Sequence, residues 1–272
     1  MIIIKRQIIT LLVFTLIACL CVPVGAYSAQ SHIAVRVDDF SAYSEGNGYA
    51  PMEIASVTKI MTAVVVLETC EDIYTPFPVH DEAIGVEGSS IYLKRGERLS
   101  VEELLWALML NSANDAAVAL AIRVGGSVDA FVELMNIKAK ALCMSDTVYA
   151  TPHGLPAEGQ HSSAHDQALL ACYALSVDGF TAICSTYSYS IPYDGTAGGR
   201  YLRNHNRLLK SFDGCIGMKT GYTKSAGRCL VTCARRDGIT LVCVTLNAPD
   251  DWNDHRSLLD TGFDLFCKND TE

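Results

Sequence analysis

The pattern of apolar and polar positions predicts strands at both ends of the chain and helices in its middle. Alternating or continuous apolar runs predict strands at residues 32–37, 187–192, 217–223, 228–234 and 240–246. Apolar positions at helical spacing predict helices at residues 56–70, 101–110, 116–124, 128–142, 163–175 and 252–266. This order lacks the regular strand–helix alternation of a parallel doubly wound sheet. It predicts an α/β protein of the α+β type, with an antiparallel sheet formed from both chain ends and a helical insertion.

Local signals support three of these boundaries. Ser100 and Glu103 form a capping box, in which each side chain satisfies an otherwise unpaired backbone N–H, and so mark a helix start. The polar stretch 111–115 interrupts two helices. The Arg-Arg-Asp-Gly sequence at 235–238 is typical of a hairpin turn between the last two strands.

The N-terminus has the three-part layout of a secretory signal peptide. Lys5 and Arg6 precede an apolar run at 8–21, and the small-residue sequence Val-Gly-Ala follows at 24–26. We therefore expect a signal peptide at 1–26 and one exported catalytic domain at 27–272. Two alternatives stay open: a lipoprotein acylated at Cys19, because Leu-Ile-Ala-Cys resembles a bacterial lipobox, or an uncleaved membrane anchor.

Charge and cysteine content exclude some functions and leave one question open. The 272-residue chain has a formal net charge of −9, which argues against a nucleic-acid-binding surface. Removal of residues 1–26 leaves 9 of the 11 cysteines, an odd number. Several lie in apolar runs, which favours buried free thiols over a disulfide framework. No CxxC pair occurs, and we expect no metal site.

A possible nucleophile and its base occur in the sequence Ser-Val-Thr-Lys at 56–59. Positions i and i+3 of a helix lie on one face, so Lys59 can reach the hydroxyl of Ser56. Serine needs an adjacent base to act as a nucleophile. A lysine serves as that base when burial lowers its pKa, and the neighbouring residues are apolar.

Two further short motifs follow in chain order. Ser112 and Asn114 lie in the polar interruption between two helices, where Ser can relay a proton and Asn can bind a peptide group. Lys219 and Thr220 can bind a carboxylate, and Gly221 allows a substrate backbone to approach the strand closely. Each motif alone is common. Together they form the ordered set S-x-x-K, S-x-N and K-T-G.

With these motifs the chain resembles the serine-type D-alanyl-D-alanine carboxypeptidases, the low-molecular-mass penicillin-binding proteins. The resemblance covers about residues 32–263 and is carried by the segments 55–63, 88–90, 111–117, 151–155 and 218–223. It implies a β-lactamase-like fold with the active site between a sheet part and a helical part. It also implies a peptidoglycan stem peptide as substrate, inhibition by β-lactams and no need for a metal or an organic cofactor.

The resemblance implies a catalytic role for three residues. Ser56 would attack the carbonyl of the D-Ala-D-Ala bond, form an acyl-enzyme and release D-Ala. Lys59 would activate Ser56, and Ser112 would help carry the proton to the leaving amine. Water would then release the acyl chain.

The remaining motif residues would bind substrate. Asn114 would contact the substrate amide, and Lys219 and Thr220 would hold the terminal carboxylate. The oxyanion would lie between the backbone N–H groups of Ser56 and Tyr222, beside Gly221.

Two departures from the family pattern lead to separate expectations. The sequence ends at Glu272, so we expect no C-terminal β-domain, and any membrane attachment would come from the N-terminus. Some relatives use an arginine after the third motif to bind the carboxylate. Arg256 is the only one in that segment here, and we expect it to be a solvated helix residue.

Other functions on the same fold remain alternatives. A β-lactamase or an esterase is one, although the central loop offers only Glu158 as a residue for deacylation. A wall-binding module without activity is another, but it would be expected to have lost one of the motif residues. His153 could contact the cleft, although a structural role is the simpler expectation.

Overall fold

The computed structural model describes residues 27–192 and 199–269. The predicted signal peptide lies outside these residues. Along the described chain, no helix combines the length and apolar character needed to cross a membrane. The strands are β1 (Ser31–Arg36), β2 (Ala42–Gly46), β3 (Phe77–Pro78), β4 (Arg98–Leu99), β5 (Ser188–Ile191), β6 (Arg200–Arg203), β7 (Cys215–Thr223), β8 (Gly227–Arg236) and β9 (Ile239–Leu246). The helices are α1 (Lys59–Thr69), α2 (Val101–Leu110), α3 (Asn114–Gly125), α4 (Val128–Ala141), α5 (Ala164–Ala174), α6 (Phe180–Ser185), α7 (Leu208–Ser211) and α8 (Asp251–Asn269).

The main sheet combines strands from both ends of the chain, as the sequence predicts. Its order is β2-β1-β9-β8-β7, and all neighbouring strands are antiparallel. The central strand β9 is buried at every position, which explains its almost continuous apolar sequence. Strand β7 lies at one edge, where it is free to face a ligand.

The two faces of the sheet pack against different helices. Successive side chains of a strand point to opposite faces, so β9 contributes to two cores. Val242 and Val244 pack with the helices of the central region. Leu241 and Cys243 pack with Leu258 and other residues of α8. The sheet is thereby covered on both sides.

Helix α1 lies in the centre of the larger core. Its residues from Lys59 to Val66 are buried without a polar face, which is the pattern of a helix surrounded by protein. A 3-10 turn, Ala55–Thr58, precedes α1 and contacts strand β7. Ser56 therefore lies in a turn between the sheet edge and the helical part.

Several details differ from the sequence predictions. The helix predicted from residue 56 begins as α1 at Lys59, after the 3-10 turn. Helix α3 begins at Asn114 rather than at residue 116, because a polar first turn is compatible with a helix start. Strands β2 and β6 were not predicted, since their largely polar, partly exposed sequences lack a clear apolar alternation.

Nine cysteines lie in the described part of the chain, and all are free. Cys184, Cys229, Cys233 and Cys243 are buried, which agrees with the expectation of buried thiols. Burial raises the pKa of the Cys243 thiol to about 12. Such thiols act as small apolar groups and are poor nucleophiles.

Candidate active site

Ser56, in the 3-10 turn, is in direct contact with Lys59, the first residue of α1. The side-chain nitrogen Nζ of Lys59 donates a hydrogen bond to Ser56 Oγ at 2.9 Å. Ser56 is half-buried and lines an open cavity, whereas Lys59 is completely buried. The 3-10 turn preserves the i, i+3 contact that the sequence predicts for a helix. The hydroxyl therefore faces the cavity while its base lies behind it.

The surroundings of Lys59 favour its neutral form. Burial, and secondly the charge of Lys219, hold the pKa of Lys59 well below its ordinary value, although Asp115 opposes this shift. The amine also donates to Asn114 Oδ1 and to the carbonyl oxygen of His153, both at 2.7 Å. These two acceptors fix its position. A buried lysine with a lowered pKa is suited to take a proton from Ser56.

The second motif lies on the opposite wall of the cleft. Ser112 lines the cavity and has a left-handed backbone conformation, with φ of 58°. Asn114 Nδ2 donates to the carbonyl of Glu87 at 2.6 Å, while its oxygen accepts from Lys59. The carboxylate of the buried Asp115 accepts from the backbone N–H of Leu93 at 3.1 Å. The start of α3 therefore positions both Lys59 and the adjoining loop.

The third motif forms the sheet edge of the cleft. Lys219 is buried, and burial lowers its pKa to about 7. Its Nζ donates to the carbonyl of Thr220 at 2.9 Å, and Thr220 lines the cavity. Tyr222 is 67% exposed and also lines the cavity. The structure thus brings all eight predicted site residues into one region.

Close packing against Gly221 joins the third motif to the nucleophile turn. A Cβ atom at Gly221 would lie 2.9 Å from the carbonyl oxygen of Ile54 and 3.0 Å from the backbone nitrogen of Ser56. Gly154, with φ of 86°, packs in the same way against the carbonyl of Ala55, 1.9 Å from its hypothetical Cβ. Glycine is therefore required on both sides of the turn that carries Ser56.

We expect Gly221→Ala to reduce acylation of Ser56 by about 10-fold to 100-fold, because the added methyl group must displace the backbone around Ser56. The same overpacking is expected to cost about 1–3 kcal/mol of unfolding free energy. Rates of adduct formation with a fluorescent penicillin, together with chemical denaturation, measure the two effects. Acylation at the wild-type rate by a variant of unchanged stability would contradict this account of the turn.

Lys219 also makes stability depend on pH. Its pKa is about 7 when folded and near 10.5 when unfolded, so the unfolded chain binds more protons between these values. Lys219 is therefore expected to add about 1–2 kcal/mol more to the unfolding free energy at pH 8.5 than at pH 7, while the raised pKa values of the buried thiols act in the opposite direction. Urea denaturation of the wild type and of Lys219→Met at both pH values measures this contribution as the difference between their pH dependences. An equal pH dependence in the variant would show that Lys219 makes no such contribution.

The cavity contains charged residues that the sequence motifs did not identify. Its volume is about 600 Å³, and its wall combines the motif residues with side chains from β8, from the segment before α7 and from the start of α8. The lining residues are Ser56, Ser89, Ser112, His205, Arg207, Thr220, Gly221, Tyr222, Arg228, Asp251 and Trp252.

Arg228 is the best-positioned cation among these additional residues. It pairs in register with Tyr222 of β7, and its Nη2 donates to Asp251 Oδ1 at 2.7 Å. Its buried Nε has no hydrogen-bond partner within the described residues. Burial raises the pKa of Asp251 although Arg228 opposes the shift. The motif search missed Arg228 because it belongs to the neighbouring strand rather than to a motif.

Three other residues considered from sequence have different positions. Arg256 is partly exposed on α8 and donates to the carbonyl of Ser211 at 2.9 Å, away from the cavity lining. Glu158 is exposed and does not line the cavity. His153 contributes its carbonyl to Lys59, while burial and the nearby Lys59 lower the pKa of its imidazole to about 4. Sequence motifs do not reveal such a backbone contact.

Comparison with known proteins assigns the chain to a family whose motifs are the ones that the site contains. The model of the D-alanyl-D-alanine carboxypeptidase family matches residues 22–250. D-alanyl-D-alanine carboxypeptidase DacF of Bacillus subtilis is 34% identical over 227 residues, which cover 82% of this chain and 58% of the relative. DacC of Escherichia coli is 37% identical over 254 residues, which cover 88% and 62%. The chain thus spans about three-fifths of the length of these two relatives.

A solved structure supports the fold assignment. Penicillin-binding protein D2 of Listeria monocytogenes, in its cefotaxime-bound form, superposes with a TM-score of 0.78 at 30% sequence identity. The match covers 87% of this chain and 98% of that protein. The fold is thus that of the DD-peptidases and penicillin-binding proteins. This chain belongs to the D-alanyl-D-alanine carboxypeptidase family.

Proposed function

We propose that this protein is a serine D-alanyl-D-alanine carboxypeptidase that removes the terminal D-Ala from peptidoglycan stem peptides. The observation that carries this proposal is the completely buried, pKa-lowered Lys59 in hydrogen-bond contact with the cavity-facing Ser56. In the proposed reaction Lys59 takes the hydroxyl proton as Ser56 Oγ bonds to the substrate carbonyl carbon. The peptide C–N bond breaks, and the leaving amine receives a proton through Ser112.

The oxyanion of the intermediate requires donors close to Ser56. The backbone N–H groups of Ser56 and Tyr222 are the proposed donors, and the close packing of Gly221 on the Ser56 turn supports this assignment. Asn114 is held beside Lys59 and is proposed to bind the substrate amide. Hydrolysis of the acyl-enzyme by water then completes the turnover.

The terminal carboxylate needs a cationic partner in the cavity. Thr220 and Lys219 are the motif residues proposed to bind this carboxylate. We propose that Arg228, whose guanidinium is held by Asp251, binds it as well. Charge-assisted hydrogen bonds from a guanidinium are suited to carboxylates. Arg228 therefore takes the role that the sequence alone could not assign to Arg256.

Replacing Arg228 is expected to affect substrate binding more than the rate of the chemical step. We expect Arg228→Gln to raise KM for a D-Ala-D-Ala peptide about 10-fold, because one charge-assisted bond to the carboxylate is lost, while kcat changes less than threefold. Arg256→Gln is the matched control, since Arg256 contacts Ser211 outside the cavity. A change in kcat alone, or an equal effect of Arg256→Gln, would contradict the assignment.

The proposed activity is tested with the purified domain and a synthetic peptide that ends in D-Ala-D-Ala. Mass spectrometry is expected to detect loss of one alanine residue. A peptide ending in D-Ala-L-Ala and one with an amidated C-terminus serve as controls, because the first changes stereochemistry and the second removes the carboxylate. If folded protein leaves the D-Ala-D-Ala peptide intact, the proposed function is wrong.

The proposed location follows from the family and the N-terminal sequence. Members of this family act on the cell wall, which implies a site of action outside the cytoplasm. We propose that residues 1–26 direct export, with lipidation at Cys19 as the alternative. We also propose that β-lactams acylate Ser56 of this protein. The cefotaxime-bound form of the Listeria protein supports that proposal.

A further inference from the structure

A second cavity, rich in basic residues, adjoins the active-site cleft. It has a volume of about 540 Å³, and we name it the basic pocket. Its lining residues are Tyr187, Arg203, Asn204, His205, Arg207 and Lys210. His205 and Arg207 line both cavities, so the two share a wall. No carboxylate is among these described lining residues, although the whole chain has a formal net charge of −9.

The backbone that carries the basic side chains is firmly held. The N–H of Arg203 donates to Asn111 Oδ1 at 2.9 Å, which ties this segment to the interruption between α2 and α3. Asn204 Nδ2 donates to the carbonyl of Cys184 at 3.1 Å, and Asn204 Oδ1 accepts from the N–H of Asn206 at 2.9 Å. The cations therefore extend from a fixed frame beside the second motif.

Tyr187 brings two of these cations together. Its ring centroid lies 3.5 Å from Lys210 Nζ and 5.3 Å from the guanidinium carbon of Arg203. A cation–π contact positions a cation without neutralising its charge. Both side chains are also exposed, so each can bind an anion that enters the pocket.

The basic pocket shares His205 and Arg207 with the cleft, which Thr220 also lines. Under the proposed function, Thr220 and Lys219 hold the terminal carboxylate of the leaving residue. Burial lowers the pKa of the His205 imidazole, and the nearby positive charge of Lys219 lowers it further. A longer side chain on the leaving residue would therefore extend past His205 and Arg207 into the basic pocket.

We propose that the basic pocket binds a second acidic group on the leaving-group side of the substrate. Its ligand is a carboxylate carried by the leaving residue, beyond the terminal carboxylate that Thr220 is proposed to hold. The enzyme then favours substrates whose leaving residue has an acidic side chain over otherwise matched neutral ones. The reaction is the same hydrolysis, with one peptide bond broken and one water consumed. This inference rests on the proposed function.

The test compares three peptides that end in D-Ala-D-Ala, D-Ala-D-Glu and D-Ala-D-Gln. D-Glu and D-Gln have almost the same shape, so their kcat/KM ratio isolates the charge. We expect D-Glu to be favoured about threefold or more at low ionic strength, which is the range of exposed ion pairs. The ratio of kcat/KM for the D-Glu peptide to that for the D-Gln peptide is expected to fall toward one at about 0.5 M salt, because mobile ions screen the charges.

Two variants test whether the preference for D-Glu arises in the basic pocket. Lys210→Gln and Arg203→Gln are each expected to reduce the D-Glu to D-Gln ratio by at least half, with kcat/KM for D-Ala-D-Ala unchanged within twofold. Lys140→Gln, which removes an exposed lysine of α4, is expected to leave all three values unchanged. A wild-type ratio of one or less, or a ratio insensitive to both pocket variants, would overturn the inference. If none of the peptides is cleaved, the proposed function fails first and this inference fails with it.

Discussion

Ser56→Ala is expected to abolish both the covalent adduct with penicillin and the cleavage of a D-Ala-D-Ala peptide. The hydroxyl oxygen is the only atom of the proposed site that forms a bond to the substrate. Its removal deprives Lys59, whose Nζ lies 2.9 Å from Ser56 Oγ, of the proton that the proposed reaction transfers. Intact-protein mass spectrometry after incubation with penicillin detects the adduct directly. We expect full labelling of the wild type and none of the variant.

The control for this experiment is Ser257→Ala, which removes an exposed hydroxyl from α8 on the other side of the sheet. This variant is expected to acylate and to hydrolyse at the wild-type rate. Because Ser56 is half-buried and the change removes only its side-chain oxygen, while the backbone contacts of the turn remain, Ser56→Ala should retain its fold, as circular dichroism can establish. A penicillin adduct in the folded Ser56→Ala protein would place the nucleophile elsewhere.

Lys59→Met is expected to lower the acylation rate by a factor of about 10³, because general-base catalysis contributes about 10²–10⁴. The methionine side chain fills a similar volume but cannot accept the proton of Ser56. The amine is the donor to Ser56 Oγ, Asn114 Oδ1 and the His153 carbonyl, so three contacts are lost together. Stopped-flow measurement of acylation by a chromogenic cephalosporin gives the rate.

The stability of Lys59→Met separates catalysis from folding. Loss of the donor leaves two buried oxygens unsatisfied, which costs about 1–3 kcal/mol each, while removal of a buried amine relieves its desolvation. We therefore expect a folded variant with a modest change in melting temperature. Lys140→Met, at an exposed position, provides the baseline for a lysine-to-methionine change. If folded Lys59→Met acylates within 10-fold of the wild type, Lys59 is not the base.

Much of the fold could be predicted from the sequence because the relevant signals are local. The apolar run at 240–246 predicts a strand, and the structure has β9 there, at the centre of the sheet. Ser100 and Glu103 form the predicted capping box at the start of α2. The three motifs likewise consist of neighbouring residues, so their spacing was readable without a structure.

Contacts between distant segments were not predictable in this way. The carbonyl of His153 lies 94 positions from Lys59 along the chain, yet it accepts a hydrogen bond from its amine. Arg228 and Asp251 belong to separate elements, and only the pairing of β7 with β8 brings Arg228 opposite Tyr222. A backbone carbonyl carries no sequence signature, and a single arginine between two apolar runs predicts no ligand.

The sequence by itself therefore determined the strands at both chain ends, the helices between them and the identity of the motif residues. Each of these depends on residues that are neighbours in the chain or repeat with a fixed period. The tertiary structure alone decided how Lys59 is buried, which oxygens hold it, and which cations complete the cleft. Those properties arise where the edge of the sheet meets the helical part. Desolvation and hydrogen bonding there depend on distances between segments that the chain order does not specify.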